Sequence, residues 1–223
     1  MSLQQSDSEK VKSTFESYAR RFDQIYESAE HKSPLSRWIN NRFRKSMYGR
    51  FQETLQNLST NDIQSILDVG CGSGRYCVEY LRMGKKVVGI DMASEMLKIA
   101  ERVCKSDFPN GQGQVKFICA NYLDHQFDEK FDAAVLMGLF DYIEDPGRLL
   151  KKLKSDVTKF IFASFPRSDN FLNAIRKVRY RYFKNCPLYY HSKEELGLLM
   201  RMSGFHKYDI AENDREFYVT ITL

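Results

Sequence analysis

The first 60 residues carry apolar positions at helical spacing, whereas beyond them short apolar runs alternate with amphipathic stretches to the C-terminus. Val11, Phe15, Tyr18, Phe22, Ile25 and Tyr26 recur every three or four residues, which predicts a helix over 11–26 behind a polar, frayed start. Pro34 breaks it. A second helix is predicted over 35–58, with Trp38, Ile39, Phe43, Met47, Phe51, Leu55 and Leu58 on one stripe, closed by Asn61 and Asp62. The runs at 65–69, 87–90, 115–119, 131–137 and 159–165 read as strands, the first of them buried. Helical patterns at 77–81, 92–103 and 149–154 fill three of the four gaps between them, and Asp145-Pro146 is a helix start. A further helix over 192–202 opens on Ser192 and Glu195 in capping-box spacing. Two last strands, 204–211 and 216–223, flank Asn213 and Asp214 as an antiparallel hairpin. The layout is α/β, with residues 1–60 as a helical cap and 61–223 as one domain carrying a basic insertion at about 167–190.

The stretch SILDVGCGSGRY, Ser65 to Tyr76, holds the chemistry. A strand enters a turn with Gly70, Gly72 and Gly74 and leaves as a helix, so the backbone can approach a ligand and free N–H groups face it. A dinucleotide fingerprint needs its third glycine at position 75, but that residue is Arg75. Asp68 lies inside the strand, where it can accept from loop amides or a ligand ammonium. Asp91 ends the next run, where an acid can take both hydroxyls of a ribose. Each has a plainer reading, Asp68 as a cap of the loop and Asp91 as a cap of the following helix.

The chain of 223 residues, 43% hydrophobic and 28% charged, suits one globular domain. No apolar run is long enough to span a bilayer and the polar start lacks a signal-peptide core, so a cytoplasmic protein is expected. Cys71, Cys77, Cys104, Cys119 and Cys186 show neither C-x-x-C spacing nor histidine partners, which predicts reduced thiols and no metal site. The net charge of +5 is modest, but it is concentrated: Arg37, Arg42, Arg44, Lys45 and Arg50 in one stretch, and Arg176 to Lys184 interleaved with Tyr180, Tyr182 and Phe183 in another. Either is a solvated face or a dock for an anion.

DVGCGSGRY together with VVGIDMASEML resembles the class I S-adenosylmethionine-dependent methyltransferases, whose E/DxGxGxG loop and second-strand acid bind that cofactor. The resemblance implies a Rossmann-like seven-stranded, mostly parallel sheet with helices on both faces, a C-terminal antiparallel hairpin and a helical N-terminal cap over the cleft. It implies S-adenosylmethionine as cofactor and S-adenosylhomocysteine as product, held by Asp68, Gly70, Cys71, Gly72, Gly74, Asp91, Met92, Asn121, Tyr122, Met137 and Gly138, with Tyr18 or Tyr26 covering it. Asn121 also suits an Asx turn. After the fourth run, GLFDYIEDP lacks both the [DN]-P-P-[YF] grip on planar amines and a Pro-Cys nucleophile. Asp141, Tyr142 and His191 remain as candidate bases or substrate-orienting groups. The segment is similar to small-molecule O- and C-methyltransferases of the magnesium-protoporphyrin and quinone-biosynthesis types, with arginines favouring an anionic acceptor. An RNA or protein acceptor docked on the basic insertion, and a non-catalytic cofactor-binding module, are the alternatives.

Overall fold

A computed structural model describes residues 3–19, 34–109, 114–169, 186–213 and 215–223. Seven strands form one sheet: β1 Ser65–Val69, β2 Lys86–Asp91, β3 Val115–Cys119, β4 Phe131–Leu136, β5 Val157–Pro166, β6 Lys207–Glu212 and β7 Glu216–Thr222. Their order is β3-β2-β1-β4-β5-β7-β6. The pairs among the first five are parallel, while β7 runs antiparallel between β5 and β6. The helices are α1 Leu3–Ala19, α2 Pro34–Thr60, α3 Arg75–Arg82, α4 Ser94–Asp107, α5 Pro146–Asp156 and α6 Lys193–Met202. This is the Rossmann-like architecture the sequence predicts.

Both faces of the sheet are covered, which is why the strands read as continuous apolar runs. Leu67, Leu136, Ile161, Phe165 and Val219 pack on one face with Leu150 and Leu153 of α5 and Leu196 and Met200 of α6. On the other, Ile66, Val87, Val135, Phe162 and Tyr218 meet Leu58 of α2, Cys77, Tyr80 and Leu81 of α3, and Leu97 and Cys104 of α4. Neighbouring residues of one strand, such as Ile66 and Leu67, therefore serve opposite layers.

The local start signals hold where the cap is local. Asp145 accepts from the Gly147 and Arg148 amides with Pro146 following, so α5 begins three residues before its first buried leucine, Leu149, where the periodicity placed it. Ser192 and Glu195 form the reciprocal capping box of α6. Helix α1 already runs from Leu3, which corrects the expected frayed start. Its predicted continuation to Tyr26 lies outside the described residues, as does most of the basic insertion. Among the described residues no helix is long and apolar enough to cross a membrane.

Candidate functional site

The parallel strands β1, β2, β3 and β4 all end at one edge of the sheet, and a cleft opens there. Its empty space, counted out into the open mouth, is about 850 Å³. Gly70 and Gly72 form its floor, Asp91, Met92 and Ala93 one wall, Ala120 to Leu123 another, and Met137 to Leu139 with Tyr142 and Ile143 the far end. Val11, Lys12 and Phe15 of α1 close it from above. The glycine turn is pinned to the tip of β2, because the Gly70 and Cys71 amides both donate to the Ile90 carbonyl, at 2.8 and 3.3 Å.

Asp91 faces this cleft and is held rigidly. Its Oδ2 accepts from the Gly72 amide at 2.9 Å and its Oδ1 from the Ala93 amide at 2.8 Å. Each oxygen keeps lone-pair capacity for a further donor. Burial pushes its carboxyl above the ordinary range, against the hydrogen bonds that lower it. Asn121 caps the turn at Tyr122–Asp124: its Oδ1 accepts from the Leu123 amide at 3.1 Å and its Nδ2 donates to Asp124 at 2.9 Å. One acceptor site and one N–H of its amide are left for the cleft. The Tyr122 hydroxyl points away, donating to Asp156 at 2.7 Å, so its ring is the part that lines the wall.

Other candidates lie behind the cleft. Asp68 is buried beneath the turn, where its Oδ2 accepts from the Cys77 thiol at 3.4 Å, and burial pushes its carboxyl up to about 7. Cys71 is buried and its sulfur packs against Gly89. Gly74 faces α4: a Cβ there would stand 2.8 Å from Ala100 Cβ, so this glycine lets α3 and α4 approach. Tyr18 lies on α1, but its side chain and the whole of Tyr26 are outside the described residues.

At the far end, Ser164 Oγ accepts from the Gly138 amide at 2.8 Å and from Arg50 Nη1 at 3.1 Å. The same Arg50 nitrogen donates to Glu216 at 2.7 Å. Burial works against the Arg50 charge, but Glu216, Tyr76 and Asp141 outweigh it and raise its pKa. Helix α2 is thereby tied through β5 and β7 to the end of β4. Ser164 and Glu216 carried no sequence signal, since they sit inside strands. Asp141 is buried, and its carbonyl accepts from the Tyr189 amide at 2.9 Å. His191 stands edge-on to Phe165, with ring centroids 5.4 Å apart. Burial lowers its pKa, against the charges of Glu195 and Asp141. Tyr142 lines the cleft and meets Phe15 edge-on at 5.2 Å, whereas Asp141 and His191 lie outside the lining. Among the described residues no cluster of His, Cys, Asp and Glu is arranged to hold a metal.

Residues 66–158 match the family model described as a methyltransferase domain. Over 89 residues the chain is 34% identical to the ubiquinone biosynthesis O-methyltransferase of Albidiferax ferrireducens, covering 40% of this chain and 34% of that protein. The protein of the same name from Rhodopseudomonas palustris is 28% identical over 102 residues, 45% of this chain and 38% of its own. The chain thus spans little more than a third of the length of these curated relatives. Among solved structures, magnesium protoporphyrin IX methyltransferase from Synechocystis, with bound SAH, superposes with a TM-score of 0.76 at 16% identity, over 97% of this chain and 99% of that one. A SAM-dependent methyltransferase from Methanosarcina mazei gives 0.59 at 21% identity, over 73% and 93%. At these identities the likeness is one of fold.

Proposed function

We propose that the chain is a class I methyltransferase and that it transfers the methyl group of S-adenosylmethionine to an oxygen or carbon of a small, anionic molecule. The observation that carries this reading is Asp91. It is a carboxylate at the tip of β2, clamped by two backbone amides beside a glycine floor, with both oxygens still able to accept from a vicinal diol. The rest of the lining suits the same ligand. Met92 and Ala93 offer an apolar flank to a base, and Asn121 retains an acceptor for an exocyclic amine. Met137 and Gly138 border the opposite end.

When bound, S-adenosylmethionine supplies a methyl group on a sulfonium, already activated toward a nucleophile. The protein then has to aim the acceptor and exclude water. Val11 and Phe15 cover the cleft with apolar surface. Beyond Gly138, Tyr142 borders the space through which an acceptor reaches the methyl group. Arg50, paired with Glu216, lies behind Gly138 at this end.

The test is Asp91→Ala. Losing a charge-assisted pair of hydrogen bonds should weaken S-adenosylhomocysteine binding by roughly ten- to a hundredfold in a calorimetric titration. Unchanged affinity in a folded variant would place the ligand elsewhere.

A further inference from the structure

The N-terminus of α4 is capped from outside its own neighbourhood. Its cap position is Ala93, which has no side-chain acceptor, although a helix start leaves four N–H groups without intrahelical partners. The missing acceptor comes from α1. Glu16 Oε1 accepts from the Ser94 amide at 2.8 Å and the Ser94 hydroxyl at 3.2 Å, and Oε2 accepts from the Glu95 amide at 3.3 Å. A carboxylate at this end also meets the positive end of the helix dipole.

We propose that Glu16 is a positioning residue, a clasp that fastens α1 over the cleft and sets how fast the bound nucleoside product leaves. The proposal rests on the cofactor reading above. Three observations join the clasp to the cleft. The helix that carries Glu16 also supplies Val11, Lys12 and Phe15 to the lining, so the roof cannot lift while the clasp is closed. The clasped residues follow Ala93, whose amide donates to Asp91, so the contact braces the same turn that presents the ribose-facing carboxylate. At its other end, Val11 packs on Cys186 and Leu188, and the Tyr189 hydroxyl reaches Asp7 at 3.3 Å. Helix α1 therefore spans from the cofactor wall to the acceptor side, with its charged fastening on the cofactor side. Ala19 and Phe15 also pack on Ala93, Met96 and Ile99 beside the clasp, so breaking it loosens the roof and leaves the glycine floor in place.

The experiment compares the parent chain with Glu16→Ala and Glu16→Gln in stopped-flow dissociation of S-adenosylhomocysteine, alongside amide hydrogen exchange of the ligand-free proteins. Glu16→Ala should speed dissociation about tenfold, with a smaller change in association rate, as expected for losing charge-assisted hydrogen bonds that hold a roof closed. Glu16→Gln, which keeps one acceptor oxygen, should fall between. Exchange should rise in α1 and at Ser94 and Glu95 of Glu16→Ala, while the amides of β1 and β4 stay as protected as in the parent, which separates an opened roof from a destabilised fold. A dissociation rate within twofold of the parent, or unaltered exchange in α1, overturns the clasp. If the parent fails to bind S-adenosylhomocysteine, the cofactor reading falls, and the exchange comparison still decides whether Glu16 fastens α1.

Discussion

Gly74 and Gly84 allow the packing of the glycine turn to be weighed against its backbone conformation. Both have φ of +73°, so alanine at either pays the left-handed penalty, about 1–2 kcal/mol. Their surroundings differ. A Cβ on Gly84 meets nothing within 4 Å, whereas one on Gly74 would lie 2.8 Å from Ala100 Cβ and 3.0 Å from Ala100 Cα. The second contact is with helix backbone, which cannot rotate away, so α3 and α4 must separate. Overpacking of this kind adds about 1–3 kcal/mol. Gly84→Ala should therefore lower stability by about 1–2 kcal/mol and Gly74→Ala by about 2–5 kcal/mol. In a chain of this length each kcal/mol moves the melting temperature by roughly 2–4 °C. Thermal or urea unfolding of the two variants measures the difference directly. Equal losses would refute the claim that Gly74 is required by helix approach, and would leave only its φ.

Asp68→Asn should change how stability depends on pH. Burial raises the Asp68 carboxyl from 3.8 to about 7 in the folded chain, so the folded state holds a proton that the unfolded state releases, and this group erodes stability as pH rises from about 4 to 7. The asparagine variant should gain on the parent across that window, by up to roughly 4 kcal/mol, and the gain should level off above it; parallel unfolding curves from pH 4 to 8 would contradict this. Arg50→Met should cost about 3–5 kcal/mol, because it takes the guanidinium from Glu216 in a site where both side chains are only about a tenth exposed. Arg50→Met with Glu216→Met should recover part of that loss in urea unfolding, and a purely additive double variant would show that the pair does not act as a unit.

What was legible in the sequence follows from where the determining forces are local. β1 and β4 stand out because covering both faces of the sheet demands apolar side chains at successive positions, as Ile66 and Leu67 show. The glycine turn and Asp91 are adjacent to strand ends, so spacing alone brings them to one edge. The capping box of α6 was readable because Ser192 and Glu195 are three residues apart. The clasp on α4 was not, because its acceptor comes from 78 residues earlier in the chain. The stripe of Val11 and Phe15 announced a buried face but not which surface it covers, and these residues prove to roof the cleft. Arg50 was visible as part of a basic stretch, yet its partners Ser164 and Glu216 come from strands whose pairing no local pattern reveals.

The central claim is that the cleft at the ends of β1 and β2 takes an adenosyl sulfonium cofactor. Its most direct test is calorimetric titration of the purified protein with S-adenosylmethionine, S-adenosylhomocysteine and NADH in parallel. Binding of the first two with no heat from NADH is the predicted result. Binding of NADH alone, or of none of the three, would contradict the account and leave only the fold.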